Sequence, residues 1–128
     1  MQAKQFCKLS LSLKYIGNHK ESNKIAILAK ETSETFPSDQ ENSKDLSFQT
    51  SLAFLLRNSR ILEEFCVSFE KTDDAFNLAV ARMYLGIILS EEKSFDKSIS
   101  LQTSSLSSFI HLRFLFILFY LNFFYFYF

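Results

Sequence analysis

The sequence predicts an all-α chain: antiparallel helical hairpins stacked as a short solenoid over residues 1–108, followed by a C-terminal apolar helix or disordered tail over 109–128. Three observations carry this. Only two glycines (Gly17, Gly86) and one proline (Pro37) occur in 128 residues, so the tight turns of sandwiches and barrels are scarce. Apolar residues recur at three- and four-residue steps, the spacing of one helical face. Short polar breaks separate these runs, as between paired helices.

The clearest periodicity is Ala75, Leu78, Ala79, Arg82, Leu85, Gly86 and Leu89, which predicts a helix. Thr72, Asp73 and Asp74 before it offer side-chain oxygens to orphan amides and negative charge to the positive end of the helix dipole. After the polar break Ser90–Ser94, a second helix carries Phe95, Ile99, Gln102 and Leu106. Upstream, the stripe Phe48, Leu52, Leu55, Leu56 and the stripe Ile61, Leu62, Phe65, Cys66, Phe69 flank a break near Arg57–Arg60, making another hairpin. Further back, Leu9, Leu13 and Ile16 lead to the break Gly17–Lys20, and Ile25, Leu28 and Ala29 follow before Pro37 closes the segment. Ser38–Glu41 reads S-x-x-E, either a capping box opening the next helix or part of a polar loop. Successive hairpins with short breaks form the pattern of an array in which each pair buries its faces against its neighbours.

Fourteen Lys and Arg balance fourteen Asp and Glu, so no whole-chain field favours nucleic acid, and none is expected as a partner. The balance hides a gradient: residues 1–30 hold six lysines and one acid, whereas 31–74 hold ten acids and four bases. Such asymmetry would steer a partner to one end or, on the blander account, reflect attraction between the solvated faces of adjacent helices. Cys7 and Cys66 stand far apart with no CxxC partner, which fits a reducing, cytoplasmic setting and two buried thiols.

The stretch Met83–Ile99, MYLGIILSEEKSFDKSI, resembles a tetratricopeptide repeat: Leu85 and Gly86 take its Leu-Gly positions, Leu89 the apolar place three further on, and Phe95 the aromatic after the turn. Gly86 would let the second helix approach the first, Leu85, Leu89 and Phe95 would fill the space between, and the family's small second-helix residue falls on Ser98. In the same register Ile16 lies against Leu89, Leu13 against Gly86, Ile25 against Ser98 and Ala29 against Gln102, while the middle hairpin, about Asp45–Glu70, fits neither the Leu-Gly pair nor a 34-residue period. The resemblance implies a non-catalytic scaffold whose concave face receives a peptide or helix of another protein. It also implies that the chain is a fragment of a longer repeat protein, since three repeats without a polar capping helix sit at the lower limit of stability.

The tail from Phe109 to Phe128 is a separate segment: seventeen of its twenty residues are apolar, and it holds eight of the sixteen phenylalanines. As a helix rising 1.5 Å per residue it would span roughly 30 Å, the thickness of a bilayer core, and would anchor the repeats to the cytosolic face of an organelle membrane. Arg113 near its start, His111 and Asn122 weigh against that, as do eleven Phe and Tyr where membrane helices rely on Leu, Ile, Val and Ala. An unselected tail from a truncated or misread gene and a buried terminal helix are the other two readings. The serine-rich run Thr103–Ser108 suits a flexible joint before it.

No phosphate-cradling, nucleophile-elbow or metalloprotease motif is present, and two glycines do not build a phosphate loop of the usual kind. His19 and His111 lack metal-ligand spacing. The adjacent acids Glu63/Glu64, Asp73/Asp74 and Glu91/Glu92 diverge by about 100° on a helix and do not converge as an acid–base pair must. The sequence therefore nominates no catalytic, cofactor or metal residue. It points to a protein-binding scaffold, with a tail-anchored adaptor as the alternative.

Overall fold

The computed structural model describes residues 3–35 and 45–127, with side chains described as far as Arg113. Among these residues the chain is all-helical and without strands: α1 (Ala3–Tyr15), α2 (His19–Thr35), α3 (Leu46–Leu55), α4 (Ser59–Lys71), α5 (Ala75–Glu91) and α6 (Phe95–Tyr127). Pro37 and the Ser38–Glu41 capping box lie outside the described residues.

The polar breaks foreseen in the sequence are one turn used four times. Gly17, Arg57, Asp73 and Lys93 each sit at positive φ (87°, 55°, 53° and 64°), one residue past the cap that ends a helix. The next residue then donates its amide to a carbonyl five positions back: Asn18 to Leu13 at 2.9 Å, Asn58 to Ala53 at 2.8 Å, Asp74 to Phe69 at 3.0 Å and Ser94 to Leu89 at 2.9 Å. This Schellman closure satisfies carbonyls that a helix end leaves without partners. Asn18, Asn58 and Asp74 also begin the next helix, each side-chain oxygen accepting the amide three residues on, from Glu21, Ile61 and Asn77 respectively. Only one of the four left-handed positions is glycine; each of the others costs roughly 1–2 kcal/mol of backbone strain, which the closure and cap oppose. Thus of the three residues expected to open α5, Asp74 is the cap and Asp73 is the reversal.

The chain divides into two compact units, Met1–Phe65 and Cys66–Phe128. In the first, α1 and α2 lie along each other and α3 touches both. Ala3 and Cys7 of α1, Ala26 and Ala29 of α2, and Phe48, Leu52 and Leu55 of α3 form its core cluster, with Phe6, Leu11 and Leu56 against it. Small residues let α1 and α2 close in. Buried Ser10 and Ser22 face each other across them, Ser10 Oγ donating to the Ser22 carbonyl at 2.7 Å and Ser22 Oγ to the Ser10 carbonyl at 2.9 Å.

In the second unit α5 and α6 pair in the same manner. Ser98 Oγ donates to the Gly86 carbonyl at 2.7 Å and Ser105 Oγ to the Ala79 carbonyl at 2.6 Å, both buried. The Ser98 bond repeats the Ser22 bond, and both serines lie five residues after their left-handed turn residue. The structural register therefore sets Ser10 against Gly86 and Ser22 against Ser98, three residues away from the alignment read from sequence. That alignment matched apolar residues, whereas helix approach is governed by small ones. Counted from Arg57, the same offsets are buried: Thr50 lies seven residues before it, Leu62 five after it and Phe69 twelve after it, and all three are fully buried.

Two further sequence expectations change. Phe95 does not fill the space between α5 and α6; it is 56% exposed, because Ser98 and Ser105 occupy the inward face of α6. The Thr103–Ser108 run is helical and no joint, with Arg82 Nη1 donating to Ser104 Oγ at 3.1 Å and Ser108 Oγ to the Ser104 carbonyl at 3.1 Å.

A Cβ built on Gly86 would meet Gln102 Cγ at 2.6 Å, whereas Ser10, at the corresponding place, has Ala26 where Gln102 stands. Gly86→Ala is therefore expected to lower stability despite a helix-propensity gain of about 1 kcal/mol. Adding Gln102→Ala should reverse the sign and leave the double variant above wild type. A double-mutant cycle of urea unfolding followed by circular dichroism checks this; additive effects would contradict the contact.

Candidate interaction surface

Of the residues that the family resemblance singles out, Leu85, Gly86 and Leu89 are buried in α5 and Ser98 in α6, whereas Phe95 is exposed. His19 and His111 are exposed, and among the described residues no group of His, Cys, Asp and Glu is placed to hold a metal ion. Glu63 and Glu64 face solvent on α4. The acidic pairs form no convergent site, since Asp74 is engaged as a cap and Asp73 belongs to the turn.

The charge gradient of the sequence has a local counterpart. Lys4 of α1 pairs at 3.0 Å with Asp45, whose other oxygen accepts the Phe48 amide at 3.1 Å and so caps α3. The Lys4 ammonium, with help from the Phe48 amide, holds the Asp45 carboxyl below the usual carboxylate range. Lys14 lies over the Phe54 ring at 4.5 Å, a second cationic contact from α1 to α3. Basic α1 is thereby fastened to the helix that follows the α1–α2 hairpin. In the second unit, Arg82 reaches Glu70 at 3.6 Å and Ser104, tying α4 and α6 to α5.

The surface carries open grooves of a few hundred cubic ångströms. One, of about 360 Å³, lies in the first unit between Lys30 and Ser33 of α2, Leu52 of α3 and Ile61 of α4. A second, of about 330 Å³, runs along the α5–α6 hairpin and is lined by Met83, Gln102, Thr103, Ser105, Leu106 and Phe109. Phe109 meets Phe76 edge to face at 6.0 Å. Around this groove α6 turns apolar residues to solvent: Phe95, Ile99, Leu106 and Ile110 are all more than half exposed. The sequence reading found this stripe but placed it against α5. The signal that would have reversed it is the serine pair Ser98 and Ser105, seven residues apart and on another face.

Among the described residues no helix is long and apolar enough to cross a membrane. The side chains of 114–128, on which the anchor and unselected-tail readings rest, lie outside the described residues. Comparison with protein-family models, with curated proteins and with solved structures found no match in any of the three.

Two measurements follow from this geometry. A carboxyl whose titration is depressed in the folded chain contributes stability above its ordinary titration range, and that contribution disappears as pH falls through the folded value. Lys4→Met should therefore cost roughly 0.5 kcal/mol at pH 7, in line with a partly exposed pair, and the difference from wild type should shrink as pH falls below the ordinary aspartate range in acid-titrated urea unfolding. Separately, burial raises the Cys7 thiol to about 11, while Cys66 is half-buried. In the native chain at pH 8, Ellman's reagent should label Cys66 and reach Cys7 only on unfolding; equal rates would contradict the burial.

Proposed function

We propose that this chain is a non-catalytic protein-binding scaffold, built as a short tetratricopeptide-like stack of helical hairpins. The observation that carries the reading is the recurrence of one hairpin design. Its reversals lie 40 and 36 positions apart, at Gly17, Arg57 and Lys93. Relative to each reversal, the residues seven before, five after and twelve after are buried: Ser10, Ser22 and Ala29; Thr50, Leu62 and Phe69; Gly86, Ser98 and Ser105. A chain that repeats a frame and varies its surface is suited to recognition. A peptide or helix of another protein is the expected ligand, on the concave face of the stack and in the cytoplasm.

The composition of 109–128 favours a second reading, in which the same scaffold is held at a membrane by that segment. One experiment separates the two. The tagged full-length chain is cross-linked in living cells, and membranes are then extracted with alkali. Reproducible adducts with a small set of proteins in the alkali-soluble fraction are the expected result. The same adducts confined to the extraction-resistant fraction would assign the anchored adaptor. Adducts with chaperones alone would overturn both.

A further inference from the structure

Aligned on its left-handed residue and on the Ser22 and Ser98 bonds, the α5–α6 hairpin matches the α1–α2 hairpin with Lys93 in place of Gly17, so each position of the first has a counterpart 76 residues on. Ala3, Cys7, Ala26 and Ala29 thereby correspond to Ala79, Met83, Gln102 and Ser105. In the first hairpin those four residues form the trough that α3 fills with Phe48, Leu52 and Leu55. In the second, Met83, Gln102 and Ser105 line the open groove of about 330 Å³, extended by Leu106 and Phe109. Lys30 and Ser33 stand where Leu106 and Phe109 do, so the open groove is the more apolar of the two.

We propose that this groove is a docking site for one amphipathic helix of another polypeptide, presenting an aromatic or large aliphatic residue followed by aliphatic ones four and seven positions on. The inference rests on the hairpin-stack reading and adds the site and the chemistry of its occupant. The occupant's pattern comes from α3, which fills the corresponding trough within the chain. Its first two anchors recur in α5, where Tyr84 and Ile88 hold the places of Phe48 and Leu52 and are buried, while the exposed Glu91 stands in place of Leu55. A second copy of this chain docking through α1 is disfavoured: α1 has exposed Lys8 and Ser12 at those places, and burying Lys8 against Leu106 would strip an ammonium of water without a partner. Helix-in-groove recognition of this kind is read through anchors spaced on one helical face.

The test uses the fluorescent full-length chain at nanomolar concentration, titrated with a hydrocarbon-stapled helical peptide of sequence 45–58. A control peptide carries serine in place of Phe48, Leu52 and Leu55. Saturable binding is expected, weakened at least tenfold by the control peptide or by Leu106→Lys, which is about 1.4 kcal/mol. Val67→Lys, on exposed α4 surface away from the groove, should leave binding unchanged. Leu106 is 60% exposed, so its substitution should spare the fold, which circular dichroism verifies. Independently of any variant, a photo-reactive group at the Leu52 position of the peptide should cross-link to Met83, Leu106 or Phe109.

Absence of saturable binding, cross-links elsewhere, or equal weakening by Leu106→Lys and Val67→Lys would overturn the proposal. Self-association of the chain that Leu106→Lys abolishes would assign the groove to a second copy and overturn it equally. If the peptide fails while the cellular adducts of the scaffold persist, the groove assignment falls and the scaffold reading stands.

Discussion

A helix end exposes four carbonyls without intrahelical partners, and this chain resolves that constraint with one device. A single left-handed residue reverses the backbone, its successor closes a bond across five residues, and an Asn, Asp or Ser at that successor begins the next helix. Because the closure fixes how many residues separate the last turn of one helix from the first turn of the next, it also fixes which residues face each other across the pair. Ser10 meets Ser22 and Gly86 meets Ser98 for this reason. The core, the grooves and the exposed stripe of α6 all inherit that register.

The residues at the closest approach are small, and their hydroxyls bond to carbonyls of the facing helix. Such bonds leave those carbonyls their helical partners while satisfying the buried hydroxyls; among the described residues no buried side-chain polar atom lacks a partner. A serine pair at the approach lets the two backbones come nearer than Leu or Phe would, and the larger apolar side chains are displaced to the flanks. On α1 and α2 those flanks meet α3. On α6 they include Phe95, Ile99, Leu106 and Ile110, which face solvent. The exposed apolar stripe is thus a consequence of the tight pair rather than a flaw in it.

Much of the helical layout was legible in the chain. The run from Ala75 to Leu89, the polar breaks after Ile16, Leu56, Lys71 and Glu91, and the apolar stripe of α3 all appear where periodicity places them. The register between hairpins was not. Matching Ile16 to Leu89 aligned residues of similar hydropathy, but what the first and last hairpins share is room at the crossing point, carried by Ser10 and Ser22 in one and by Gly86 and Ser98 in the other. Phe95 was misplaced for the same cause: an aromatic beside a helix start is apolar enough to be buried, and only its rotation relative to Ser98 shows that it is not. The groove was invisible because its residues, Met83, Gln102 and Ser105 among them, are scattered over two helices and share no chemistry in sequence.

The sequence by itself determined that the chain is helical, where four of its polar breaks fall, and that it holds no recognisable catalytic or phosphate-binding motif. Those properties depend on neighbours within one turn of helix or on the presence of a local motif. Only the tertiary structure decided which helical faces meet, which serines are buried, and which apolar residues stay at the surface. Those depend on helix rotation about its axis, a quantity set by the left-handed turns and by the space available at Ser10 and Gly86, and a shift of three residues in that register turns a helix by about 60° and changes which side chains stand at the crossing point.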